Sequence, residues 1–276
     1  MKLCRLLEIS RSRYYSWVQE RSKAIDKAKY YAADVAAIKQ LYDRSHKTAG
    51  YRKTYATLSQ QKNEFTLYKV KKLMHENRIA SIVRLKYKPQ GTRSDPSSIA
   101  FDNLLNQEFK TQRKNEVWVA DMTYIRADFK WTYLAVVIDL YNREPIGWAY
   151  GAHPDAALAC QALEMAIRRT KPSKGLIHHS DRGCQYTSNA YKRLMNKYRI
   201  TGSMSRRGNC YDNAVVESFF KSLKTEWTNH CCYNTMKEAY ESLYHYIEVF
   251  YKYQRLHEAL GYKTPKNYEN HRKLAV

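Results

Sequence analysis

Val117-Trp118-Val119-Ala120-Asp121-Met122-Thr123-Tyr124-Ile125 decides how this chain folds. Its β-branched and aromatic residues read as a strand with Asp121 at the middle. A carboxylate among Val, Trp and Ala is expensive to bury without a partner, because the charged form loses its hydration. The stretch therefore reads as a core strand that carries a functional acid. Its neighbours extend it into a sheet. Residues 131–141 are apolar, β-branched and aromatic, the pattern of a buried strand. Residues 145–150 read as an edge-like third strand, with Pro145 tolerated at its start. Residues 155–169 read as a helix with Ala159, Leu163 and Ala166 along one side. A short strand over 175–181, expected parallel to the first, a helix over 188–198, a strand over 200–204 and a helix after Asp212 complete the order. That succession predicts an α/β fold, a mixed five-stranded sheet with helices on both faces.

Two further acids sit in short motifs of their own. Asp181 ends an apolar strand in His178-His179-Ser180-Asp181-Arg182-Gly183, where Gly183 lets the backbone turn closely. Glu217 lies in Asp212-Asn213-Ala214-Val215-Val216-Glu217-Ser218-Phe219-Phe220, with 35 residues between it and Asp181. In the helix after Asp212, Val216, Phe219, Leu223 and Trp227 share one face, and Asn213, Glu217, Lys221 and Lys224 share the next. Taken alone, Glu217 reads better as a surface partner of Lys221 at i+4. Beside Asp121 and Asp181 it reads as the third member of a triad. Three acids ~5 Å apart would repel by about 3 kcal/mol per pair at an effective dielectric of ~20, and a divalent cation removes that cost. Hard oxygen donors favour Mg²⁺, with Mn²⁺ as a substitute, over Zn²⁺. Two such ions about 4 Å apart can activate water and stabilise a leaving 3′ oxygen.

The other candidates carry less. Asp139 reads as structural, serving nearby backbone groups. Asp212 reads as the cap of the Glu217 helix. His178 and His179 are candidates to position a phosphate or water, one of them being expected to pack. Ser203 and Ser205 have no His-Asp pattern to activate them. No two of the six cysteines make a C-x-x-C pair, and the adjacent ligands of His230-Cys231-Cys232 suit tetrahedral zinc poorly. They read as free thiols of a reducing compartment.

Charge points to the partner. The 276-residue chain has 48 Lys and Arg against 26 Asp and Glu, a net +22. Such a surplus suits a polyanion, since Lys and Arg displace condensed counterions from phosphates. Residues 1–90 hold 21 Lys and Arg against 7 Asp and Glu, so 14 of the 22 excess charges lie there. A basic helical segment over 1–30 opens with Leu3, Leu6 and Leu7 at helical spacing, and Ser10-Arg11-Ser12 breaks that pattern and restarts it. Over 31–90 an all-α helix-turn-helix module follows. Val35, Ile38, Leu41 and Tyr42 make one face. A second helix spans Tyr51 to about Gln61. Thr66 caps a third helix whose stripe is Val70, Leu73 and Met74. Lys69, Lys71, Lys72 and Arg78 are its expected DNA contacts. Pro96 and a Ser pair mark a linker over 91–112. The catalytic candidate spans 113–228 and a basic helical extension 229–276. The longest unbroken aliphatic run, Leu134–Ile138, is far too short for a membrane span, and the start lacks a secretion signal's apolar stretch. The expectation is a cytoplasmic, nucleoid-associated protein.

The motifs Trp118-x-x-Asp121-x-Thr123-Tyr124, His179-Ser180-Asp181-x-Gly183 and Asp212-Asn213-Ala214-x-x-Glu217-Ser218-Phe219-Phe220-x-x-Leu223-Lys224 resemble those of bacterial insertion-sequence transposases of the acidic-triad (DDE) type, relatives of retroviral integrases. Arg255-Leu256-His257 and Gly261-Tyr262-x-Thr264-Pro265 resemble the end of those proteins, and Gly50-Tyr51-Arg52 their helix-turn-helix module. The resemblance implies an RNase H-like core, strand cleavage by water and strand transfer by a 3′-hydroxyl. It implies Asp121, Asp181 and Glu217 as catalytic and metal-holding residues. It implies action as a homo-oligomer on duplex DNA, in some relatives fused to an upstream reading-frame product. Lys221 and Lys224 are the expected grip on the strand at the acids. The retroviral His-His-Cys-Cys zinc module has no counterpart here. Two other functions fit the same residues: a nuclease that cuts without joining, and a silent DNA-binding repressor.

Overall fold

A computed structural model describes residues 9–61, 65–84, 101–106, 109, 111–206 and 210–273. The expected pattern around Leu3, Leu6 and Leu7 and most of the 91–112 linker lie outside them. The chain divides into two compact units, residues 1–81 and 82–276.

The first unit is helical. Helix α1 runs unbroken over Arg11–Arg44, with the Ser10 side chain accepting from the Arg13 amide at its start. Its C-terminal part buries Val35 and Ile38, while residues 11–33 are exposed. Helix α2 spans Tyr51–Gln61 and α3 spans Leu67–Glu76. Thr66 caps α3 as its sequence implies, accepting from the Lys69 amide at 3.1 Å. Val70, Leu73 and Met74 pack with Val35, Ile38, Leu58 and Phe65 into one small core. Lys69 is not free for a ligand: its ammonium pairs with Asp34 at 2.7 Å. Lys71, Lys72 and Arg78 are exposed.

The second unit is the mixed sheet expected of an RNase H-like core. Its strands are β1 (Val117–Ala127), β2 (Lys130–Asp139), β3 (Pro145–Gly151), β4 (Ile177–Ser180) and β5 (Thr201–Met204), in the order β3-β2-β1-β4-β5. The first three make an antiparallel meander, and β4 and β5 add parallel to β1. One face packs against α4 (Ala156–Thr170), a single turn α5 (Cys184–Thr187) and α6 (Asn189–Lys197) through Trp118, Ala120, Leu163 and Tyr191. Asp155 caps α4 and Ser188 caps α6. The opposite face buries Val117, Val119 and Ile125 against α7 (Ala214–Glu226), α8 (Met236–Tyr244) and a π-helical stretch, His245–Tyr251. A short helix α9 (Pro265–Lys273) follows.

Two contacts fix these layers. A Cβ added at Gly147 of β3 would lie 2.2 Å from the Ala162 carbonyl oxygen and 2.6 Å from the Ala166 amide, so only glycine lets α4 come this close. On the other face Arg255 clamps α7. Its Nε and Nη2 donate to the two Glu226 carboxylate oxygens at 2.7 and 2.8 Å, and Nη2 also reaches Ser222 Oγ at 2.8 Å. Gly147→Ala should destabilise the fold by roughly 2 kcal/mol or more, because backbone atoms cannot step aside as a flexible side chain can. Chemical denaturation would register this as a lower midpoint at unchanged slope; an unchanged midpoint would show that α4 and β3 part freely.

Candidate active site

The site begins where a ladder ends. β1 and β4 pair in parallel from Val117↔Ile177 to Ala120↔Ser180, and Asp121 and Asp181 are the next residue of each. Neighbouring strands lie about 4.8 Å apart, so the two acids stand side by side where β4 ends and β1 runs on beside β2, at the C-terminal end of the parallel ladder, the common place for ligands in such sheets. Asp121 is half-buried, and its carboxyl accepts from the Met122 amide at 2.7 Å. Its pKa is raised well above the carboxylate range, first by desolvation, then by the charge of Asp181 and, more weakly, of Glu217. Asp181 Oδ1 accepts from the Gly183 amide at 2.9 Å, which folds the loop back on the acid.

Glu217 comes from the first turn of α7, with its side chain exposed. No ion pair joins it to Lys221 among the described residues. Its own pKa is raised by desolvation. Asp121 and Asp181 are therefore neighbours across the ladder, and Glu217 acts on Asp121 through its field. Among the described residues no three His, Cys, Asp or Glu side chains stand closely enough grouped to hold a metal ion. The donor chemistry still fits a hard cation: all three are carboxylates, and Asp121 is held in surroundings that penalise its charge.

The match to known proteins covers nearly the whole chain. Residues 111–210 and 198–265 match the integrase core domain, and residues 31–87 match an HTH-like domain. Transposase InsF for insertion sequence IS3A of Escherichia coli (strain K12) is 34% identical over 97% of this chain and 93% of its own length. This chain belongs to the insertion-sequence transposases. An insertion element IS600 uncharacterized 31 kDa protein of Shigella sonnei is 37% identical, over 95% of this chain and 96% of its own. Among solved structures, the catalytic core domain of BIV integrase aligns at 20% identity and a TM-score of 0.41, covering 58% of this chain and 98% of that one. The HTLV-2 integrase catalytic core domain in complex with magnesium aligns at 15% identity and 0.40, covering 55% and 95%.

Other residues of the transposase differ from their sequence reading. Lys224 does not lie on an open face; it is buried, its ammonium 3.6 Å from the centre of the Tyr124 ring. Desolvation lowers its pKa to about 8 against the pull of Asp121. Lys221 is exposed, as expected of a residue open to a ligand. Asp212 does not cap α7. It is fully buried and accepts from the Arg206 amide, Nε and Nη2 and from Asn103 Nδ2. Both histidines pack rather than one. His178 Nε2 meets the Tyr191 hydroxyl at 2.9 Å, and His179 bridges Ser203 and Ser205. Burial lowers their pKa values to about 3 and about 4, so both are neutral at pH 7. Asp139 serves the backbone, accepting from the Asn115 and Tyr141 amides.

Sequence reading missed Tyr186. It stands in the single turn after Asp181, and its buried hydroxyl has no hydrogen-bond partner among the described residues. Desolvation and the charges of Asp121, Tyr191 and Asp181 push its pKa well up, so it stays a neutral donor beside the acids. The signal was positional: five residues past Asp181 falls within one helical turn of Gly183.

The perturbed acid gives a prediction with a defined sign. A carboxyl whose pKa is raised on folding binds protons more tightly in the native state, so stability falls as pH rises from ~4 through the raised value. Asp121→Asn removes the charge and keeps the shape. It should raise the melting temperature at pH 7 in the absence of divalent cations, with the gain shrinking toward pH 4. A gain independent of pH would mean that the Asp121 charge is not the source.

Proposed function

We propose that Asp121, Asp181 and Glu217 jointly hold Mg²⁺ and that the transposase cuts one DNA strand at each end of its mobile element and joins the freed 3′-hydroxyl to target DNA. The observation that carries this reading is the side-by-side departure of Asp121 and Asp181 from the β1–β4 ladder, with the Asp121 charge unfavourable as it stands. Bound divalent cations would activate the attacking oxygen and stabilise the leaving 3′ oxygen; Mn²⁺ would serve as well, and two ions suit in-line displacement. The chain's own part is positioning. Gly183 and the Met122 amide orient the two Asp carboxyls, and α7 delivers Glu217. Lys224 supplies a fixed positive charge beside Asp121, and Lys221 offers an exposed one to a phosphate. Joining is a transesterification, so one phosphodiester replaces another and no nucleotide is consumed. Duplex DNA is the partner. Because two ends must be held at once, a homo-oligomer on DNA follows from one acid site per chain.

Asp121→Asn, Asp181→Asn and Glu217→Gln should each abolish cleavage and joining on cognate ends with Mg²⁺ while DNA binding survives. Near-normal joining by any of them would remove that residue from the site. Cutting without joining by the wild type would make it a nuclease, and binding alone a repressor. Independently of activity, Mg²⁺ should raise the melting temperature of the wild type and leave that of Asp121→Asn unmoved.

The grip on duplex DNA is assigned to the basic face of α3. Lys71→Ala with Lys72→Ala should weaken binding and flatten its salt dependence by about one log–log unit for each phosphate no longer neutralised. Lys69→Ala should act mainly on the stability of the module, because that ammonium is engaged by Asp34. A salt slope unchanged in the Lys71, Lys72 double variant would place the grip elsewhere.

A further inference from the structure

A pocket of about 220 Å³ opens at the C-terminal end of β1. Tyr124, Ile125, Arg126 and Trp131 line it from the hairpin, and Lys224, Thr228, Asn229, Cys231 and Tyr233 from the end of α7 and beyond. None of the triad lines it, so it is a separate concavity. Its composition is specific. Three aromatic rings face a small volume, Arg126 and Lys224 supply positive charge, and Asn229 supplies both a donor and an acceptor. Trp131 is 56% exposed and makes an edge contact with Tyr124, so a flat face stays open at the rim. The volume lies below the ~300–1,000 Å³ typical of drug-sized ligands, which suits a single ring system. Lys224 belongs both to the pocket wall and to the field around Asp121. A strand whose phosphate lies at the acids would therefore bring its next nucleotide to the pocket mouth.

We propose that this pocket holds one unpaired nucleobase of the DNA end being processed, stacked on the open face of Trp131, with Tyr124 edge-on beside it, and hydrogen-bonded by Asn229. The assignment rests on the strand-transfer reading above. It gives the protein a way to open the terminal base pairs: the stacking given up within the duplex is regained on the aromatic rings. Recognition is by the π-face, with Asn229 adding a preference among bases.

The test compares binding to duplexes carrying the cognate ends, either fully paired or with one mismatch beside the cleavage site, in Ca²⁺ to hold chemistry back. The same duplexes are assayed for cleavage in Mg²⁺. The wild type should prefer an end with its base already unpaired, at one position only, by on the order of tenfold. Trp131→Ala should lose that preference yet bind the fully paired end as before, and Trp131→Phe should restore most of it. Asn229→Ala should keep the preference for unpaired ends and lose discrimination among bases. Cleavage by a wild type that shows no such preference, or a preference that survives Trp131→Ala, overturns the pocket assignment and leaves strand transfer standing. A preference intact in a wild type that cleaves nothing overturns the strand-transfer reading instead.

Discussion

The parallel pairing of β1 with β4 is the constraint from which the rest of the site follows. It stops at Ala120 and Ser180, and the next residue of each strand's chain path is an aspartate, so the crevice between the diverging strands carries both acids. A shift of one residue would turn Asp121 toward the opposite face, because side chains alternate along a strand. Register is held from both sides. β2 pairs with β1 over its whole length, and the neutral His178 and His179 tie β4 to α6 and to β5. The histidines thus serve the geometry of the acids without touching the chemistry.

Around that crevice the protein keeps charges where burial disfavours them. Asp121 is penalised by desolvation and by Asp181, and Lys224 by its own burial against Tyr124. Each partly relieves the other. Such an arrangement costs stability and is commonly found where a group is preorganised for a ligand. The N-terminal module shows the opposite policy. Its apolar stripe is closed, and most of its basic residues remain hydrated.

β1, β2 and β3 were legible in the sequence because they are largely apolar, β-branched and aromatic stretches bounded by turns, and each of the five strands lies within two residues of its expected limits. Thr66 could be read as a cap because a hydroxyl followed by an apolar periodic run has few other uses. Two failures turn on tertiary partners that local pattern does not reveal. Lys224 sits at the border of two helix faces, and only the end of β1 and the residues after α7 decide that it is buried. Asp212 looked like a cap, but Asn103, 109 residues away, and Arg206 claim it. The unbroken length of α1 was hidden for another reason. Its first two-thirds is exposed and carries no apolar stripe to signal a helix.

The Arg255–Glu226 pair reaches across the boundary that sequence composition suggested at residue 228. Glu226 is buried and anchors the same helix that bears Glu217, while its guanidinium partner arrives 29 residues later. Without Arg255 the buried Glu226 carboxylate would lose its ion-pair partner, a costly loss for a charge held away from water. The helix that bears Glu217 is thus held in place by a residue that sequence composition assigned to a separate C-terminal extension.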